Sequence, residues 1–287
     1  MVNDTFAIFC KTYNKDIANF QRMLNSFNKY NVENLHLYIS VPTSDISLFN
    51  KFQSHTITLV EDESYAGKYF TEEQYYGLSL GYINQEICKL SFWETGLSKN
   101  YLCVDSDAYF IRDFTKSDFM FDDVTPYTIL VMDKDLSIEK EYQEYWDWRQ
   151  SKIIEIYKFI NFDDRRYRTC HGMQVLNSLV LESLKKDLLK RKELNYKDLI
   201  KISPFEFTWY NVWFQKCKLI DEYAVEPFFK TLHSKTDYNF ARYRCWGEKD
   251  IARAYVGIVL NSNWCRYPKY VEPEFLQKMF YKHLLKK

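Results

Sequence analysis

Residues 101–114 read Tyr101-Leu102-Cys103-Val104-Asp105-Ser106-Asp107-Ala108-Tyr109-Phe110-Ile111-Arg112-Asp113-Phe114. Four apolar or aromatic residues run into two carboxylates separated by one serine, and a second apolar run follows. The first run has the composition of a buried strand, so the acids stand where a strand leaves the core. A pair of acids buried there without a counter-charge is costly, because each carboxylate must be desolvated. At a strand end both can lean toward one divalent cation, or one can bind the metal while the other holds a ribose hydroxyl. Oxygen ligands of this kind suit Mn²⁺ or Mg²⁺, which bind through one or two carboxylates together with substrate phosphates. The plainer reading of the same residues is a solvated acidic turn.

Upstream, apolar runs alternate with helical periodicities. Phe6 to Cys10 reads as a buried strand ending at the polar turn Lys11-Thr12-Tyr13-Asn14. A helix begins near Asp16 and places Ile17, Phe20, Met23, Leu24 and Phe27 on one face. Leu35 to Val41 is a second strand, closed by Pro42, with Thr43 or Ser44 as the cap of the next helix. Thr56 to Val60 is a third, ending in Glu61-Asp62-Glu63. This β-α-β-α-β order predicts an α/β fold whose post-strand loops share one edge, the edge at which nucleotides bind in open sheets. A helix over Tyr82 to Glu94 buries Ile83, Ile87, Leu90 and Trp93, leaves Gln85 and Lys89 four apart on another face, and is capped by Gly96.

The chain of 287 residues carries 39 basic and 39 acidic side chains, so no global cationic field draws it to nucleic acid. An anionic ligand must be held locally. Hydrophobic residues make up 46% of the chain and 18% is aromatic, which excludes a disordered or linker-dominated polymer. The surplus of Lys, Asn, Tyr and Phe fits a nucleotide bias of the source genome, which makes the aromatics a poor guide to ligands. Seven cysteines without a Cys-x-x-Cys pair argue against a disulfide framework or a zinc knuckle. The N-terminal apolar run is too short for a signal peptide, and Ala254 to Leu260 is too short to span a membrane. A cytoplasmic protein, soluble or peripherally attached to a membrane, is expected. Residues 133–168 shift to charged and aromatic composition, with a helix over Ile138 to Phe159, and read as an insertion over the sheet edge. Leu184 to Lys201 reads as a solvated amphipathic helix.

With the acid pair placed after three such units, the chain resembles the GT-A glycosyltransferases, in which a strand-borne Asp-x-Asp binds the metal and the sugar-nucleotide diphosphate. More narrowly it resembles an uncharacterised glycosyltransferase-like family of polysaccharide biosynthesis loci. The residues that carry this are the helix Gly81-Tyr82-Ile83-Asn84-Gln85-Glu86-Ile87-Cys88-Lys89-Leu90-Ser91-Phe92-Trp93-Glu94, the segment Ser203-Pro204-Phe205-Glu206-Phe207-Thr208-Trp209-Tyr210, and the closing strand Gly257-Ile258-Val259-Leu260-Asn261-Ser262-Asn263. Pro204 and Phe207 depart from that family's pattern.

The resemblance implies a single GT-A domain: a nucleotide-sugar half at 1–114, an acceptor-binding and catalytic half at 115–264, and a C-terminal amphipathic helix at 265–287. It implies a cation, Mn²⁺ or Mg²⁺, on Asp105 and Asp107, completed by His233 after the strand Phe228 to Leu232, with His171 as the other candidate. Lys235 would neutralise diphosphate, and Asp105 would also touch the donor. A UDP-sugar is the expected donor and a glycan or glycoconjugate the acceptor. Transfer with inversion needs a base on the acceptor hydroxyl. Glu206, at the start of a helix, is the choice, although an acid there also fits a simple capping box, and Asp163 or Asp164 are alternatives. Thr12, Tyr13 and Asp62 at the strand ends suit the nucleotide, Tyr13 by stacking. Gln85 and Lys89 face the same edge if their helix runs beneath the acidic turn. Arg112 pairs with Asp113 or Asp118 at the surface. Tyr142, Tyr145, Trp146 and Trp148 form either a sugar-stacking platform or core. The basic helix Phe275 to Lys287 lies on an anionic membrane surface or packs on the domain with its lysines in water.

Two other classes compete. A nucleotidyltransferase also uses paired acids and Mg²⁺, but it would normally show a Gly-rich loop after the first strand, where this chain has Lys11-Thr12-Tyr13-Asn14. A non-catalytic carbohydrate-binding protein would tolerate loss of the acids.

Overall fold

Strands β1 (Ala7–Lys11), β2 (Leu37–Val41), β3 (Ile57–Glu61) and β4 (Asn100–Cys103) lie side by side in the order β3-β2-β1-β4, all parallel, with β7 (Val175–Asn177) antiparallel on the outer edge of β4. These elements belong to a computed structural model that describes residues 4–132, 136–137, 142–163, 172–233 and 247–261. β1, β2 and β4 are buried at every position, as the continuous apolar runs require of strands covered on both faces. The ends of β1, β2, β3 and β4 therefore share one edge, and Asp105 leaves the sheet there beside the Lys11 to Asn14 turn.

The second acidic residue opens a different sheet. β5 (Ala108–Phe110) pairs antiparallel with β10 (Gly257–Leu260), which pairs parallel with β9 (Phe229–Leu232). The Asp105-Ser106-Asp107 turn is thus the seam between a five-stranded and a three-stranded sheet. A two-stranded pair, β6 (Tyr127–Ile129) with β8 (Tyr223–Val225), stands apart from both.

The first long helix, α1 (Ile17–Tyr30), buries Phe20, Met23, Leu24 and Phe27, and Phe27 meets Phe110 of β5. The helix α2 (Leu80–Ser91) starts two residues earlier than its apolar periodicity suggests, because the Ser79 side chain accepts from Tyr82 N. It passes through one 3₁₀ turn and stops at Gly96 in the left-handed conformation. The helix α3 (Gln143–Ile160) packs on the core through Ile153, Ile156, Tyr157 and Ile160, and Phe159 meets Trp209 edge-on at 5.5 Å. Residues 138–141 of its expected span lie outside the described residues.

The single amphipathic helix expected over 184–201 is instead broken. A π-helical turn, Leu184–Leu189, and a 3₁₀ turn end at Glu193 in the left-handed conformation, and α4 (Tyr196–Ile202) starts afresh. The break is caused by a capping box. The Asn195 side chain accepts from Lys197 N at 3.0 Å, and Asp198 Oδ2 accepts from Asn195 N at 2.8 Å. A fifth helix, α5 (Glu206–Cys217), begins at the glutamate singled out above. The largest fully buried side chains are all aromatic, Trp209, Tyr101, Tyr196 and Tyr210 at their head, so most of the aromatic excess fills the core. No helix among the described residues is long and apolar enough to cross a membrane.

One glycine is fixed by packing. A Cβ on Gly257 would lie 2.2 Å from the Phe229 ring and 2.6 Å from the Tyr109 carbonyl oxygen, so β9, β10 and β5 approach as closely as they do only without a side chain there. Gly257→Ala is expected to cost about 2–3 kcal/mol by overpacking, read as a lowered midpoint in chemical denaturation with an unchanged slope.

Candidate functional site

At the shared edge a single ammonium organises the acids. Lys89, on the inner face of α2, is 3% exposed. Its Nζ lies 2.8 Å from Glu206 Oε1, 3.0 Å from Asp105 Oδ1 and 3.5 Å from Glu86 Oε2. Gln85 Nε2 donates to the same Asp105 oxygen at 3.5 Å. Burial alone would lower the Lys89 pKa, but the carboxylates of Asp105, Glu206 and Glu86 outweigh it and hold the amine charged. Glu206 is pulled the other way: burial pushes its carboxyl up, and Lys89 more than reverses that, so it stays ionised. Glu86 is raised well above the usual range by burial and by the neighbouring Glu206 charge, against the opposing pull of Lys89.

The arrangement revises two expectations. Lys89 was expected to meet the donor at the open edge; it points inward and reaches a ligand only through Asp105. Glu206 does start a helix, but its carboxylate is 5% exposed and already engaged, so a proton abstracted from an acceptor would have to displace Lys89. Gln85 likewise acts on Asp105. Of these carboxylates Asp105 is the most accessible, with its side chain 30% exposed.

The nucleotide contacts expected at the first three strand ends divide. Tyr13 stands out with 41% exposure, which suits stacking. Its loop is locked from below by Asp45, which accepts from Asn14 N at 2.7 Å and from Asn14 Nδ2 at 3.0 Å. Thr12 is buried, and its Oγ1 has no hydrogen-bond partner among the described residues. Asp62 is 2% exposed and spends both oxygens inside, one on Lys11 Nζ at 2.8 Å and one on Ser40 Oγ at 2.5 Å. Burial raises its pKa and Lys11 only partly offsets that. It therefore braces β1 against β2 and β3, and the expectation that its carboxylate meets a base edge is withdrawn.

Asp107 sits where β5 begins. Because β5 runs antiparallel to β10 and β10 parallel to β9, the start of β5 and the ends of β9 and β10 share an edge. Leu260 N donates to the Asp107 carbonyl at 3.1 Å, and Asn261 N donates to the Leu232 carbonyl at 3.2 Å. His233, next after Leu232, thus comes to the Asp107 edge, where its ring lies 6.1 Å from that of Tyr142. Among the described residues no three His, Cys, Asp or Glu side chains converge as a ready metal cage. The donor chemistry nonetheless fits a cation of the Mg²⁺ class, since two strand-end carboxylates supply hard oxygens and leave further positions to phosphate and water. Lys235, His171, Asp164 and the C-terminal helix lie outside the described residues. Asp163 is exposed beyond the end of α3.

The aromatic cluster divides, with Tyr142 buried and Tyr145, Trp146 and Trp148 half-buried. Trp148 is wedged between Tyr145 at 5.9 Å and Phe205 at 5.4 Å. Arg112 pairs with Asp118 at 2.8 Å, at the surface. Sequence reasoning missed Glu86 and Asp45. The i,i+3 spacing of Glu86 and Lys89 was the available signal for the first; nothing local marks the second.

This five-plus-three-stranded architecture, with an acidic turn at its seam, is the GT-A glycosyltransferase fold. Mouse xyloside xylosyltransferase 1, in its apo crystal structure, superposes with a TM-score of 0.50 over 90% of this chain and 98% of its own, at 11% sequence identity. WbbM, a bifunctional glycosyltransferase also solved without ligand, aligns over 91% of this chain and 46% of its own at 10% identity, with a TM-score of 0.49. No protein-family model matches the sequence, and no curated protein matches it by sequence.

Two outcomes follow from the buried cluster. Lys89→Met strands the carboxylates without their cation and is expected to cost about 3–5 kcal/mol, measured by denaturant unfolding. Glu86 has a folded pKa above its unfolded value of about 4.5. Its contribution is therefore fully present below that pH and is lost as pH rises through the folded pKa. Glu86→Gln removes this loss, so the variant's stability is expected to fall less than the wild type's as pH rises above about 4.5; parallel profiles would show that Glu86 does not titrate abnormally.

Proposed function

We propose that the protein is a cation-dependent glycosyltransferase that takes a sugar from a nucleotide-sugar donor, a UDP-sugar, and passes it to a glycan or glycoconjugate acceptor. What carries the reading is the placement of Asp105-Ser106-Asp107 on the seam of this fold, at the edge that also presents the Tyr13 loop. Asp105 and Asp107 are the groups assigned to hold Mn²⁺ or Mg²⁺, and His233, which follows β9 at the same edge, is assigned with them. A divalent cation there supplies charge neutralisation to a departing nucleoside diphosphate. Tyr13 stacks on the base, and the buried Thr12 and Asp62 keep the strand ends beneath it rigid. Lys89 fixes Asp105 in one orientation from below, so the carboxylate need not reorganise when the donor arrives.

Glu206 is assigned here as the anchor of Lys89 rather than as the base, because its charge is already neutralised by an ammonium at 2.8 Å. The resemblance in fold to a xylosyltransferase places a pentose donor alongside hexoses among those to be tried.

The decisive measurement is a thermal-shift screen of UDP-hexoses and UDP-xylose with and without Mn²⁺. A nucleotide sugar is expected to raise the melting temperature only when Mn²⁺ is present, and Asp107→Ala is expected to abolish that dependence. If no nucleotide diphosphate stabilises the protein in a Mn²⁺-dependent way, the proposal fails. For Glu206, the Gln variant is expected to lower both donor binding and turnover; lost turnover with unchanged donor binding would reinstate it as the base.

A further inference from the structure

The serine between the two acids is as deliberately held as they are. Ser106 is 5% exposed, and its Oγ donates to Asp16 Oδ2 at 2.9 Å, bridging the acidic turn to the residue that opens α1. Asp16 occupies the N-cap position of that helix, where an aspartate ordinarily accepts from the first free N–H groups and contributes about 1 kcal/mol. Here it makes no side-chain cap bond. Its carboxylate serves the turn instead of its own helix.

Other α1 side chains reach the same segment. Arg22 Nη2 donates to the Asp107 carbonyl at 3.3 Å, with its guanidinium 5.3 Å from the Tyr109 ring centre, and Ser26 Oγ accepts from Phe110 N at 2.9 Å. Arg22 and Ser26 are four apart and share a helix face. At its other end Asp16 closes the nucleotide loop, with Asp16 N donating to the Tyr13 carbonyl at 3.0 Å. One residue thus touches both the loop that presents Tyr13 and the turn that carries the acids.

We propose that Asp16 and Ser106 form a strut that holds the Asp105-Ser106-Asp107 turn in its cation-binding shape and ties that shape to the nucleotide loop, which makes both of them positioning residues. The inference rests on the cation-dependent reading above. Without the strut the turn samples conformations in which Asp105 and Asp107 diverge, and the cation must pay to gather them.

The test is Mn²⁺ binding to the full chain in the presence of UDP, followed by the loss of the free Mn²⁺ electron paramagnetic resonance signal, for wild type, Ser106→Ala, Asp16→Ala, the double variant and Asp16→Asn. A hydrogen bond to a charged group is worth about 1.5–3 kcal/mol, so each alanine variant is expected to bind Mn²⁺ roughly tenfold more weakly or worse. The double variant is expected to be no weaker than either single one, since both remove the same bond. Asp16→Asn, whose amide oxygen still accepts, is expected to regain most of the affinity at an unchanged melting temperature. Wild-type affinity in the single variants, additive losses, a larger loss for Asp16→Ala than for Ser106→Ala, or a fall in melting temperature that tracks the affinity would each overturn the strut. Wild-type protein that takes up no Mn²⁺ would instead sink the cation-dependent reading itself.

Discussion

A buried lysine ammonium held between Asp105 and Glu206, with the Glu86 carboxyl beside it, is the interaction on which the rest of the site depends. Removing Lys89 from water is expensive, and so is removing each acid; only their mutual contact makes the cluster tolerable. Glu86 and Lys89 of α2 and Asp105 just after β4 are near in sequence, but Glu206 of α5 comes from a distant part of the chain. The ion cluster therefore fixes their relative placement with a directionality that apolar packing lacks. Its charge is unbalanced toward the acids, and the excess emerges through the one partner that also faces solvent, Asp105. A cation at the open edge would complete the charge balance that the interior leaves unfinished.

The parallel sheet was legible because continuous apolar runs ended at polar turns, and the Asp105-Ser106-Asp107 turn was legible because its acids interrupt such a run. The direction of Lys89 was not. Its spacing from Gln85 placed the two on one helical face, but which way that face turns depends on α5, more than a hundred residues later. Asp62 misled for the same reason: an acid at a strand end reads as a ligand contact unless Lys11 and Ser40 are known to close over it. The break at Asn195 was visible as an Asn-x-x-Asp capping box, outvoted by a leucine and lysine pattern that suits one long helix. The Asp16 side chain was hidden for another reason, since its position announces a helix cap and only the folded chain shows it spent elsewhere.

Across the seam, the two acids belong to different mechanical bodies. Asp105 follows β4, whose neighbours are β1 and β7, while Asp107 precedes β5, whose neighbour is β10. The placement of the two strand ends then depends on how the five-stranded and three-stranded sheets sit against each other, and the turn between them on the Ser106 bond to Asp16. Phe27 of α1, the helix between β1 and β2, packs on Phe110 of β5 and so ties the helical layer of the larger sheet to the smaller one.

The bond from Leu260 N to the Asp107 carbonyl has a consequence for the order of assembly. Among the described residues β5 pairs only with β10, and β10 is the last strand. The Lys11 to Asn14 turn and the ends of β1 to β4 are laid down by local crossovers early in synthesis. The second half of the acidic turn must wait for a strand made much later and closes a long loop. During that interval the growing chain can set Asp105 against Lys89 and Glu206 while Asp107 still lacks the strand that fixes its carbonyl.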